Sequence, residues 1–197
     1  SDRSGWWNLE RIRDGERAVL HAAAAEFGYP AWVFGLRSFA FLGDGRIFCE
    51  YDSSGFTHFA VLDPETGELD ELDIALDSMR GAFVSVEGER AVVIAGSATT
   101  PAGVVLVDVG SGATETLRPS TEAVVRAEMF SSPRSVDFPT EAGLTAHALF
   151  YPPTNPEYQA PEGELPPLIV ESHGGPTDHA NALLSHRIQY WTSRGFA

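Results

Sequence analysis

The chain has 197 residues, of which 43% are hydrophobic and 21% charged; this supplies a sizeable core and excludes wholesale disorder. Lys and Arg number 13 against 28 Asp and Glu, a formal charge of −15, which repels nucleic-acid phosphates and anionic lipid headgroups and argues against both as partners. The single Cys49 excludes an internal disulfide, and the apolar runs 91–95 and 103–107 are far too short for a membrane span.

Asp2, Ser4 and Gly5 recur as Asp52, Ser54 and Gly55, each triplet leading into an aromatic-containing, strand-like run. No partner strands precede the first copy, so the chain is read as starting inside a repeat. From Arg37 the rhythm is regular. Residues 38–42 form a short apolar run, Gly43, Asp44 and Gly45 a turn, and 46–51 an alternating strand. A second turn at 52–55, a strand at 56–62 and the turn Asp63–Pro64–Gly67 follow. The order then repeats: 82–86, a turn at 87–90, 91–95, a loop with Pro101, 104–107, and a turn ending at Gly112. Leu62, Asp63 and Gly67 correspond to Val107, Asp108 and Gly112.

An antiparallel unit recurring every ~40–50 residues is the period of β-propeller blades, which hide both sheet faces by stacking. Residues 1–126 are therefore read as a partial propeller of about two and a half blades, with a β-sandwich as the alternative. Trp6, Trp7, Trp32, Phe34 and Phe41 are assigned to blade cores and blade–blade packing, the alternative being a carbohydrate or peptide platform. The acidic run Asp63, Glu65, Glu68, Asp70, Glu71, Asp73 and Asp77 lacks a calcium-loop pattern and reads as a solvated turn. His21 and His58 are isolated and read as structural.

The composition changes near Ser131. Residues 134–151 read as a hairpin around Pro139 and Gly143, followed by a proline-rich connection over 152–167. Residues 168–172 read as a short apolar strand of the buried kind. His173, Gly174, Gly175 and Pro176 turn the chain, and a helix over 181–194 follows, with Leu183, Leu184, Ile188 and Trp191 at helical spacing and Gly195 as its stop. Phe196 and Ala197 look like the first step of another strand, so the C-terminus is read as cut. Together these make one α/β crossover unit. Paired glycines at the carboxyl end of a strand let the backbone bend and expose amide N–H groups to a ligand oxygen, as an oxyanion hole requires.

Five segments carry a resemblance. Phe138-Pro-Thr-Glu-Ala-Gly-Leu-Thr-Ala-His147, Tyr151-Pro-Pro-Thr-Asn-Pro156, Leu165-Pro-Pro-Leu-Ile-Val170, Ser172-His-Gly-Gly-Pro-Thr177 and Gln189-Tyr-Trp-Thr-Ser-Arg-Gly-Phe-Ala197 resemble the start of the catalytic domain in the prolyl oligopeptidase family of serine peptidases. The acylaminoacyl-peptidase and dipeptidyl-peptidase-like branch is the most similar. The resemblance implies a mostly β chain: a partial propeller over 1–126, then the first strands and helix of an α/β-hydrolase domain over 127–197. It implies acyl-enzyme hydrolysis of short peptides with a Ser-His-Asp triad and no cofactor or metal. The chain holds no Gly-x-Ser-x-Gly elbow, so none of the triad is expected within it and the chain alone is expected to be inactive. The resemblance carries over Gly175 as the oxyanion donor, with Gly174 and His173 shaping its turn. His173, His179 and His186 lack the acid or cysteine partners of a metal set.

Two competing functions stand beside this one: a non-catalytic propeller interaction module, and an α/β-hydrolase esterase, which commonly carries a third glycine where Pro176 stands. Open sheet edges predict self-association, or contacts with propeller and hydrolase segments outside the chain. Net acidity and the lone thiol point to a cytoplasmic protein.

Overall fold

The computed structural model describes residues 3–30, 32–79, 81–122, 126–175 and 178–197; Asp2, Pro176 and Thr177, used above, lie outside them. The first hairpin joins β1 (Glu10–Arg13) and β2 (Glu16–Val19). Asp14 and Gly15 at its tip both have positive φ, 52° and 83°, the left-handed pair that a two-residue hairpin turn requires.

Two four-stranded meanders follow. In the first, β3 (Phe39–Phe41), β4 (Ile47–Ser53), β5 (Phe56–Leu62) and β6 (Leu69–Glu71) pair in chain order. The β4–β5 register runs from Ile47 opposite Leu62 to Ser53 opposite Phe56. The second comprises β8 (Ser85–Glu87), β9 (Arg90–Gly96), β10 (Gly103–Asp108) and β11 (Thr114–Pro119), and β7 (Ser78–Met79) joins the far end of β9. All these ladders are antiparallel. A parallel bridge links Arg37 to Phe83, so the two meanders meet along their first strands.

Strand alternation divides the side chains of the first meander between two cores. Phe48, Phe59 and Val61 face the second meander and pack with Val84, Val93, Val105 and Val107. Ile47, Cys49, Ala60 and Leu62 face the other way, onto Ala25 and Phe27 and the partly buried Leu9 and Leu20. The first sheet is thus covered on both faces, as a stack of blades demands and a two-sheet sandwich does not. The aromatics assigned to these cores behave differently. Trp7 is partly buried against Gly28, whereas Trp6, Trp32, Phe34 and Phe41 are exposed.

Of the acidic run, residues 69–71 are strand β6 rather than turn. Glu71 there meets His58 at 2.8 Å and accepts from the Tyr51 hydroxyl at 3.0 Å. His21 sits 3.0 Å from the Gly67 carbonyl. Both histidines are structural in this sense.

Beyond Ser131, β12 (Arg134–Pro139) and β13 (Thr145–Phe150) form the expected hairpin, from Arg134 opposite Phe150 to Pro139 opposite Thr145. Helix α1 is shorter than expected, spanning His186–Thr192. Ser185 caps it by accepting from the Ile188 N–H, and just before it the Leu184 N–H donates to the Ser97 carbonyl at 2.8 Å. That bond holds the chain ahead of Ser185 to the residue that follows β9. Among the described residues, no helix is long and apolar enough to cross a membrane.

Gln189 fastens α1 to the rest of the chain. Its side-chain oxygen accepts from the Ser131 N–H at 2.7 Å. Its amide nitrogen donates to the carbonyls of Ser131 at 3.0 Å and Ala98 at 3.4 Å. Ser131 is fully buried, so Gln189→Leu strands its backbone groups. We expect a loss of about 2 kcal/mol, read by thermal denaturation as a fall in Tm of ~4–8 °C; an unchanged Tm would show that water replaces the amide.

Candidate functional site

Residues 168–172 are extended but lie exposed, with Leu168, Ile169 and Val170 all open to solvent. This corrects the expectation of a buried strand. The reason is that, among the described residues, its backbone pairs with Ala197 alone. The Ile169 N–H donates to the Ala197 carbonyl at 2.8 Å, and the Ala197 N–H donates to the Pro167 carbonyl at 2.9 Å. That reciprocal pattern is a parallel pairing centred on Leu168 and Ala197. The segment, α1 and the last two residues therefore follow the predicted crossover order. An ion pair between Glu171 and Arg187 ties the extended segment to α1.

His173, Gly174 and Gly175 come directly after this segment and are exposed. Gly175 has φ +75°, and open space surrounds the Cα of both glycines. Among the described residues, neither the Gly174 nor the Gly175 amide donates a hydrogen bond. The His173 Nδ1 lies 3.4 Å from the Gly174 carbonyl, so its ring folds over the turn. Two unengaged amides on a left-handed bend are chemically suited to accept an anionic oxygen.

The other two histidines of the rejected metal set lie elsewhere. His186 opens α1, and His179 turns to the first meander, with Nε2 3.3 Å from Asp52 Oδ2. Among the described residues, no group of three His, Cys, Asp or Glu is placed to hold a metal.

Asp52 belongs to a polar cluster that the sequence reading missed. The Tyr29 hydroxyl lies 3.1 Å from Asp52 Oδ2 and 3.3 Å from Glu50 Oε2, and the Thr57 hydroxyl donates to Asp52 Oδ1 at 2.6 Å. Glu50 is fully buried, and its Oε1 has no partner among the described residues. Burial, reinforced by the negative Asp52, holds the Glu50 carboxyl well above the usual carboxylate range. Burial and the two neighbouring carboxyls likewise push the Tyr29 phenol up. The signal was available: on alternating β4, Phe48, Glu50 and Asp52 share one face, so a carboxyl follows a core aromatic inward.

No protein-family model matches the chain, and no curated protein does. Solved structures do. A puromycin-hydrolyzing peptidase of Mycobacterium tuberculosis is 37% identical and superposes with a TM-score of 0.90 over 99% of this chain. A puromycin hydrolase is 36% identical with a TM-score of 0.87, again over 99%. A structure from work on two prolyl endopeptidases shares the fold, at 16% identity and a TM-score of 0.62 over 98%. The chain spans about 30% of the length of the first two and 27% of the third.

Proposed function

The chain belongs to the prolyl oligopeptidase family of serine peptidases, and from that membership we propose that it is the part of a peptidase that joins the propeller to the start of the catalytic domain. The mostly antiparallel chain resembles the propeller part of those enzymes. In our reading, residues 127–197 begin an α/β-hydrolase domain. Its serine, acid and histidine belong to polypeptide other than these 197 residues.

The serine hydroxyl adds to the carbonyl carbon of a short peptide while histidine takes its proton. The carbonyl oxygen becomes an oxyanion and accepts from the Gly175 N–H, with Gly174 and His173 holding the turn. Collapse of that intermediate expels the amine and leaves an acyl-enzyme, which water hydrolyses. The observation that carries the reading is the pair of amides, unengaged among the described residues, at the end of the 168–172 segment, in a chain so similar to two puromycin-hydrolysing enzymes. We take the substrates to be short peptides and aminoacyl amides of the puromycin kind, cleaved in acylaminoacyl- or dipeptidyl-peptidase fashion.

The test pairs two proteins. The 197-residue chain should resist a fluorophosphonate probe and leave puromycin intact. The full-length gene product should be labelled once and should hydrolyse both puromycin and short peptides. Labelling of the chain alone would contradict the placement of the nucleophile, and a full-length product that cleaves neither substrate would end the peptidase reading.

A further inference from the structure

We infer that His179 is a positioning residue: its imidazole, set against Asp52, ties the segment after the Gly174–Gly175 turn to the end of the β4–β5 hairpin, and so fixes where the turn's amides point. The consequence for catalysis rests on the oxyanion role proposed above; the tether itself does not.

One phenol proton cannot serve both Glu50 and Asp52. The Tyr29 hydroxyl donates at the shorter distance to Asp52 Oδ2, 3.1 Å, with Glu50 Oε2 at 3.3 Å. Thr57 donates to the other Asp52 oxygen at 2.6 Å. Asp52 thus accepts from Tyr29 and Thr57 and lies at the rim, its side chain 13% exposed. The group that approaches from outside is His179, half-exposed, at 3.3 Å. The backbone behind Asp52 is fixed as well, since Asp52 and Glu26 exchange both N–H bonds at 2.9 and 3.0 Å.

His179 stands four residues beyond Gly175. Four residues reach at most ~14 Å, so an anchored His179 confines the turn from its downstream side. The Glu171–Arg187 ion pair confines it from upstream. Without the His179 contact, the next downstream tie to a meander among the described residues is the Leu184 N–H on the Ser97 carbonyl, nine residues beyond Gly175.

The tether titrates. The groups facing His179 are Asp52 on β4, Glu26 in the segment before it and Asp178 on its own loop, with Glu50 and Tyr29 behind Asp52. The hydrogen bond to Asp52, then the charges of Asp52, Asp178 and Glu26, raise the His179 pKa, and burial opposes them. A raised histidine value means that the contact stabilises fully below the unfolded pKa of ~6.5 and weakens as pH climbs through the folded value.

The experiment is an NMR titration of the 197-residue chain, which reads the tether without needing activity. The His179 resonance, assigned by its loss in His179→Gln, should titrate above the ordinary histidine range, and Asp52→Asn should bring it back down. Order parameters of the Gly174 and Gly175 amides should fall from a rigid ~0.85 toward ~0.6 or below as His179 loses its proton, and His179→Gln should keep them low at every pH. Rigid amides across the titration, or an ordinary His179 pKa, would overturn the inference. Should Asp52→Asn not fold, the wild-type titration decides alone. A tether that is confirmed in a full-length product lacking peptidase activity would refute the proposed function and leave the tether standing.

Discussion

Phe59→Ala should cost about 3–5 kcal/mol and lower the Tm by roughly 6–20 °C at this chain length. Phe59 is 1% exposed on β5, its ring 6.2 Å from that of Phe48 and nearly parallel to it. Both rings lie in the core between the two meanders, where Val93, Val105 and Val107 are almost completely buried. Strand backbones flank the site, so the space left by the ring cannot close by collapse of a loop. Phe59→Leu keeps most of the volume and should recover the greater part of the loss. Phe34→Ala is the control: that ring is 93% exposed, and its removal should stay within ~0.5 kcal/mol. Thermal denaturation of the three variants checks the order. A Phe59→Ala protein as stable as Phe34→Ala would mean that the meanders do not share this core.

In the full-length peptidase we propose, Gly175→Val should lower kcat by about 10²–10³-fold, the usual cost of one oxyanion donor, and leave KM close to its starting value. The cause is backbone conformation. Gly175 has φ +75°, where a β-branched residue is strained, so valine must rotate the peptide and turn its N–H away. Crowding is not involved, because nothing lies within 4 Å of a Cβ built there. The stability loss should therefore stay near ~1–2 kcal/mol. Gly174→Ala is the matched control. It too has open space, but Gly174 does not have positive φ, so alanine should leave kcat within a few-fold. Equal effects at the two positions would remove Gly175 from the donor role.

The β4–β5 pair was legible in the sequence because alternation and turn residues agree there: Arg46 to Tyr51 and 56–62 match Ile47–Ser53 and Phe56–Leu62 within two residues. β1, β2, β6 and β11 were not. Their side chains are mostly polar and exposed, as in Thr114–Pro119, so hydrophobic periodicity is silent and only cross-strand hydrogen bonds define them. The 168–172 segment failed differently. Its composition reads buried, yet burial depends on neighbours, and among the described residues its backbone pairs with Ala197 alone. At the candidate site, the Gly174–Gly175 turn was legible as a bend, and Gly175 has the positive φ that glycine favours. The Asp52–His179 contact was not, because 127 positions separate the two residues and no local pattern announces such a meeting.

The double-sided covering of the first meander has a consequence for how the chain tolerates length changes. Along β5 the large Phe59 alternates with the small Ala60, and each is matched to a different layer. One extra residue in that strand would reverse its pleat and send the benzyl group toward the compartment shaped for a methyl. Insertions belong at the hairpin tips, and a frame slip inside β4 or β5 would scramble two layers at once, even with every amino acid still present.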